Sequence, residues 1–218
     1  DKVSPNFVPF QHLNVIDHEL NDQVHFTIDD LSNSDIKYSS IGWIARHDIL
    51  MSFLLDIISN NNNINKIPTS VINNTKNYDL IVVADGINSK TKKKLNIQSI
   101  FFKYDQVCIT VKVLLRGVKS DEAFEILTSD GPLAVLPLGG DVFQFVCSQS
   151  ISKASSTMKL SKSLFLDYLA TVLPHGIEPD TIIDEQEFYQ INFLLNYTFN
   201  SGKYIFLGET AHAFHPVG

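Results

Sequence analysis

Apolar residues recur with two different periods along this chain, and the changes of period mark out its elements. Phe10, Leu13, Val15 and Ile16 predict a strand over residues 10–18, and the alternation of Val24, Phe26 and Ile28 predicts a second over 23–28. The run Asp29-Asp-Leu-Ser-Asn-Ser-Asp35 reads as a loop. After Arg46 the period lengthens. Ile49, Leu50, Phe53, Leu54, Ile57 and Ile58 share one face of an amphipathic helix, with Asp48 in its first turn, where the helix dipole favours a negative charge. That helix should stop at Ser59 and the four asparagines after it, whose side chains compete for backbone hydrogen bonds. A polar linker containing Pro68 leads to about Asn77.

Asp79-Leu-Ile-Val-Val-Ala84 is short and almost wholly apolar, the signature of a buried parallel strand. From 99 to 148 the chain reads mostly as strand. Leu133–Leu138, Gly139-Gly140 and Asp141–Val146 form a hairpin pattern with Pro137 suited to a strand end or edge. Leu160, Leu164, Phe165, Tyr168, Leu169 and Val172 predict a second helix, stopped by Pro174 and Gly176. Residues 181–195 look extended, and Tyr204–Leu207 reads as another buried strand. No internal repeat is visible. The order predicts a mixed α/β fold with an antiparallel sheet inserted into it.

Composition narrows the function classes. The 218 residues hold 17 Lys+Arg against 24 Asp+Glu, a net charge of −7, which argues against general nucleic-acid binding. Two cysteines, Cys108 and Cys147, are too few for a disulfide framework; they point to a reducing compartment and read as core residues. The longest apolar stretch, Ile49 to Ile58, is interrupted by Ser52 and Asp56 and is far short of a membrane span. The first residues show neither a signal peptide nor an initiator Met.

Two segments carry candidate chemistry. In Val82-Val-Ala-Asp-Gly-Ile-Asn-Ser89 a strand ends in Asp85 and Gly86 before a helix start capped by Ser89. In open α/β folds ligands sit beyond such strand ends, where an Asp can accept from ligand hydroxyls and a Gly permits close backbone approach. In Phe206-Leu-Gly-Glu-Thr-Ala-His-Ala-Phe-His-Pro-Val-Gly218 a buried strand again delivers a small residue and an acid to an expected helix start. Alone, the first motif reads more readily as a plain strand–turn–helix, and the second reads equally as a strand followed by a helix that happens to hold two His.

Together and in this order, the motifs resemble those of the flavin-dependent aromatic hydroxylases typified by p-hydroxybenzoate hydroxylase, most closely the ubiquinone-biosynthesis branch. Arg46-His-Asp-Ile-Leu50, Gly131-Pro-Leu-Ala-Val-Leu-Pro137 and His215-Pro216 carry the closer likeness, which runs from about Pro9 to Gly218. The resemblance implies part of an FAD-binding Rossmann-like domain (residues 45–96 and 198–218) and a substrate-side antiparallel sheet domain (1–44 and 97–197). It implies that Arg46 contacts FAD, Asp85 lies near the pyrophosphate and the nicotinamide nucleotide, Glu209 meets the ribityl chain and Pro216 lies beside the flavin ring. Gly86, Gly208 and Gly218 belong to the same cofactor-binding motifs. The implied activity is hydroxylation of an aromatic, prenylated quinone-precursor ring, using NADPH and O₂ through a C4a-hydroperoxyflavin. The implied setting is cytoplasmic, with peripheral membrane contact and companion biosynthetic proteins.

Four departures stand out. Lys92 replaces the usual Arg of the first motif, Glu209 replaces Asp and Thr210 replaces Ala in the second, and no Gly-x-Gly-x-x-Gly is present. The chain therefore reads as an internal fragment of a larger enzyme, inactive alone. Alternatives are a partner-binding module without catalysis, or a related flavin halogenase or prenyl reductase. Phe124, Phe143, Phe145, Phe188 and Phe193 read as sheet core or as a lining for a prenylated ring. His212 and His215 read as packing residues, proton relays or, lacking a third ligand, a poor metal site.

Overall fold

The computed structural model describes residues 7–31, 38–67 and 75–216. Its early strands are β1 (Phe7–Phe10), β2 (His12–Asp17), β3 (Asp22–Thr27), β4 (Gly42–Ala45) and β5 (Ile81–Val83). Five follow in the middle of the chain: β6 (Ser99–Arg116), β7 (Glu122–Thr128), β8 (Gly131–Pro137), β9 (Val142–Ser150) and β10 (Glu178–Ile182). The last are β11 (Glu187–Asn196), β12 (Asn200–Ser201), β13 (Tyr204–Phe206) and β14 (His212–Ala213). The helices are α1 (His47–Ser59), α2 (Lys90–Lys94), α3 (Ile151–Thr157) and α4 (Lys162–Val172). This mixed α/β content, mostly sheet, agrees with the sequence reading.

The chain divides into two compact units, each built from two segments: Asp1–Asn60 with Gln106–Tyr189, and Asn61–Asp105 with Gln190–Gly218. This division groups residues 45–60 with the large sheet, whereas the sequence reading grouped them with the second part.

In the first unit the sheet runs β6-β9-β8-β7-β2-β3, with β10 also on β6. Most pairs are antiparallel, but β2 and β7 are parallel, His12 facing Glu122 and Asp17 facing Leu127. The hairpin expected at Gly139-Gly140 is present, with Pro137 opposite Phe143 at the last residue of β8. Alternation buries one side along much of β6, β7, β8 and β9, whereas β2 and β3 have no fully buried residue. Val111, Val113, Leu115, Ile126, Val135, Phe143 and Phe145 join Phe165 and Leu169 of α4 in the core. Phe124, Phe143 and Phe145 are thus packing residues, while Phe188 is 62% exposed. Ser161 caps α4 by accepting from the Leu164 amide. Helix α1 forms as expected, although none of its residues is fully buried.

The second unit holds a small sheet ordered β12-β13-β5. Strands β13 and β5 are parallel, with Tyr204, Ile205 and Phe206 facing Ile81, Val82 and Val83. Phe206, Val83 and Ala211 form its core, with Leu95 and Ile97 packed against them. Two expectations change here. Strand β5 is not buried on both faces, because Leu80 and Val82 are about half exposed and Val83 alone of its residues is buried. The second motif also opens no α-helix. Gly208–Thr210 makes one 3₁₀ turn, and His212 and Ala213 then pair with Leu195 and Leu194 of β11. That pairing takes up the backbone groups a helix would have used internally.

Candidate functional site

The two motifs meet because their strands are neighbours. Strands β5 and β13 run side by side in the same direction, so Asp85-Gly86 and Gly208–Thr210 leave the sheet at the same end. The Leu207 amide donates to the Val83 carbonyl and carries the pairing one residue beyond β13. The Thr210 hydroxyl then joins the turns, donating to Asp85 Oδ1 and to the Gly86 carbonyl, each at 3.3 Å. Thr210 is fully buried, so this link lies beneath the surface the turns present.

Asp85 is held from its other side as well. Its Oδ2 accepts from the Thr91 hydroxyl at 3.2 Å and the Thr91 amide at 3.5 Å. Partial burial works to raise the Asp85 carboxyl, but hydrogen bonds from Ser89 and from the Thr91 amide and hydroxyl outweigh it and hold the group below its ordinary value. Asp85 is therefore a carboxylate at neutral pH, partly exposed, with its side chain fixed. Ser89 does double duty, its hydroxyl oxygen accepting from the Lys92 amide at 2.9 Å as the α2 cap.

A second link lies deeper. Lys92 is only 7% exposed, and its Nζ donates to Asn196 Oδ1 at 3.3 Å. Asn196, itself buried, donates from Nδ2 to the Thr210 carbonyl at 3.1 Å, and its amide donates to the Ala211 carbonyl. Burial pushes the Lys92 ammonium down, the charge of Asp85 opposes this, and Lys93 adds to it. Lys92 and Asn196 thus brace the second motif against the first.

Gly86 and Gly208 both have positive φ, +81° and +58°, and no atom lies within 4 Å of where a Cβ would stand on either. Glu209 is exposed beside them. This end of the sheet offers a fixed carboxylate, a second carboxylate and two open backbone approaches, a set suited to a hydroxyl-bearing ligand.

The remaining sequence candidates are placed as follows. Arg46 belongs to the first unit, where it precedes α1 and makes a two-pronged ion pair with Asp48, Nη2 to Oδ2 at 2.6 Å and Nε to Oδ1 at 3.2 Å. It lines an open cleft of about 630 Å³ with Met51, Lys112 and Gln144. Pro216 is exposed and follows His215, whose ring meets Tyr104 edge-on at 5.3 Å. Gly218 lies outside the described residues. Phe193 stacks on Phe102 at 4.8 Å and meets Phe214 at 5.6 Å, and Phe214 stacks on His212. Sequence reasoning missed Asn196, which no local pattern marks. It treated Thr210 as a departure, although that hydroxyl joins the motifs.

No family model matches the chain. Its fold is that of the FAD-dependent monooxygenases: a probable FAD-dependent monooxygenase from Pseudomonas aeruginosa, pqsL, superposes with a TM-score of 0.74 over 99% of this chain and 65% of its own, at 15% identity. Among curated proteins, the ubiquinone biosynthesis monooxygenase COQ6 of Caenorhabditis elegans is 23% identical over 88% of this chain and 56% of its own length. An uncharacterized Synechocystis protein, slr1300, is 27% identical over 64% of this chain and 34% of its own length. The chain thus covers about a third of one of these two relatives and just over half of the other.

Proposed function

We propose that this chain works within an FAD-dependent monooxygenase that hydroxylates an aromatic quinone-precursor ring with NAD(P)H and O₂. The observation that carries the reading is the joining of the two motif turns by Thr210 at one end of a parallel strand pair. The residues there fit FAD. Asp85 and Glu209 would accept from ribityl or ribose hydroxyls, and Gly86 and Gly208 would let the cofactor close on the backbone. Pro216 and Gly218 would complete the second motif. FAD, when bound, supplies the electron transfer and oxygen activation.

The protein's share is positioning and exclusion of water. The half-exposed Phe102 and Phe214, with the partly buried Phe193 packed against both, suit a flat, apolar ring. A prenylated ring would be drawn from a membrane surface. No helix among the described residues is long and apolar enough to cross a membrane. We read the contact as peripheral and shared with companion biosynthetic proteins.

The test uses the full-length gene product. It should purify with flavin absorbance, oxidise NAD(P)H when a quinone-precursor ring is added, and incorporate label from isotopic O₂ into the product. Asp85→Ala should weaken FAD binding. A colourless protein that takes up no added FAD would overturn the reading, and a chlorinated or reduced product would reassign the reaction.

A further inference from the structure

We propose that His12 and His25 form a two-histidine site for a divalent late transition-metal ion, bridging the last two strands of the large sheet. The two residues lie on the antiparallel strands β2 and β3, where Asn14 faces His25 and His12 faces Thr27. Their rings stack with centroids 5.2 Å apart and planes 16° from parallel, and His12 Nδ1 lies 3.3 Å from His25 Nε2.

That spacing suits a shared ion. Two imidazole nitrogens bound to one tetrahedral ion at roughly 2.0–2.1 Å stand about 3.3–3.4 Å apart. The tautomers suit it too. His25 Nδ1 lies 2.7 Å from Asn14 Oδ1. An amide oxygen only accepts, so Nδ1 carries the proton and Nε2 is left with its lone pair directed toward His12. Metal-binding histidines are oriented in this way, by a hydrogen bond from the ring nitrogen that does not bind the ion. Without metal, His12 Nδ1–H donates to that lone pair. With metal, the ion takes the place of this proton, which passes by way of solvent to His12 Nε2, so that His12 stays a neutral ligand with no net proton released, and water completes the coordination. His25 is exposed and His12 partly so, which leaves a path for entry. Imidazole ligands favour Cu²⁺ and Zn²⁺ over Mg²⁺ or Ca²⁺.

The site would act as a clip. Among the described residues, strand β3 ends the sheet and pairs with β2 alone, and five of its six residues are exposed. An ion held by both strands would pin it.

The experiment titrates Zn²⁺, and separately Cu²⁺, into the full chain against a competing chromogenic chelator. One equivalent should bind, Cu²⁺ more tightly than Zn²⁺. His12→Ala and His25→Ala should each weaken binding by about tenfold or more, and Asn14→Leu should weaken it by a similar or smaller factor through the lost orienting bond. His175→Ala, elsewhere on the first unit, should leave it unchanged. Imidazole NMR of the unsubstituted chain removes any question of variant folding: Zn²⁺ should shift the His12 and His25 signals and leave His175 in place. Unmoved His12 and His25 signals at saturating Zn²⁺, or undiminished affinity in both histidine variants, would overturn the proposal.

Discussion

Asn196→Leu should be among the most damaging single substitutions in the second unit, although Asn196 touches no ligand in the proposed site. Asn196 supplies the oxygen that accepts from the buried Lys92 ammonium and the Nδ2 that reaches the Thr210 carbonyl. Leucine keeps the bulk and removes both. A buried hydrogen-bonding group left without its partner costs about 1–3 kcal/mol, and more when it is charged, as the Lys92 ammonium is. Lys92→Met should cost less, about 1–3 kcal/mol, because it removes the buried charge and leaves only the Asn196 oxygen unpaired. In the double variant neither the ammonium nor the amide oxygen remains to be stranded. It should therefore fall about 2 kcal/mol or more short of the summed single losses. Urea unfolding at unchanged m reads all four corners of the cycle. A pH arm adds an independent check. Burial sets the folded pKa of Lys92 below its unfolded 10.5, so the unfolded chain binds more protons between the two values. Stability of the wild type should then rise as pH climbs through the folded pKa towards 10.5, and Lys92→Met should lack that increment. Additivity within about 0.5 kcal/mol would refute the pairing of Lys92 with Asn196.

Two further outcomes follow from the first unit. A Cβ on Gly131, at φ +136°, would overlap the Ser148 carbonyl, whereas Gly86 has open space in front of it; Gly131→Ala should lower the urea midpoint far more than Gly86→Ala, whose cost is confined to about 1–3 kcal/mol of backbone strain. Burial pushes the Glu125 carboxyl up from 4.5, so its charge destabilises the fold at neutral pH. Glu125→Gln should be more stable than wild type at pH 7 in a thermal melt, with the advantage vanishing once pH falls below that unfolded value; an advantage that persists there would contradict the burial argument.

The sequence revealed what depends on near neighbours. The period of Ile49, Leu50, Phe53 and Leu54 located α1, Ser89 announced its cap, and Gly139-Gly140 located the β8–β9 hairpin, since each is decided within a few residues. Helix α3 escaped notice because Ile151-Ser-Lys-Ala-Ser-Ser-Thr157 has too few apolar residues to show a period, and only Ala154 and Thr157 are buried. The parallel register of β2 on β7 has no local signal, because it joins residues about a hundred positions apart. The helix expected after Gly208 gave way to a 3₁₀ turn for the same kind of reason: β11, from another part of the chain, claims the backbone of His212 and Ala213. For the candidate site, Asp85, Gly86, Gly208 and Glu209 were legible as motifs. The contacts that assemble them, through Thr210 and Asn196, were not.

The division of the second unit between two distant stretches of chain has a kinetic consequence. Ile81 and its partner Tyr204 are 123 positions apart, and Lys92 and Asn196 are 104 apart. On the ribosome the Gly139-Gly140 hairpin can zip up from adjacent sequence, while β5 must wait, with Leu80 and Val82 bare, until β13 has been made. Pairings of such long loop closure are slow and leave apolar strand edges exposed in the meantime. Assembly of the candidate site is therefore a late event in this chain's biogenesis, and the interval before it is when a chaperone would find most to hold.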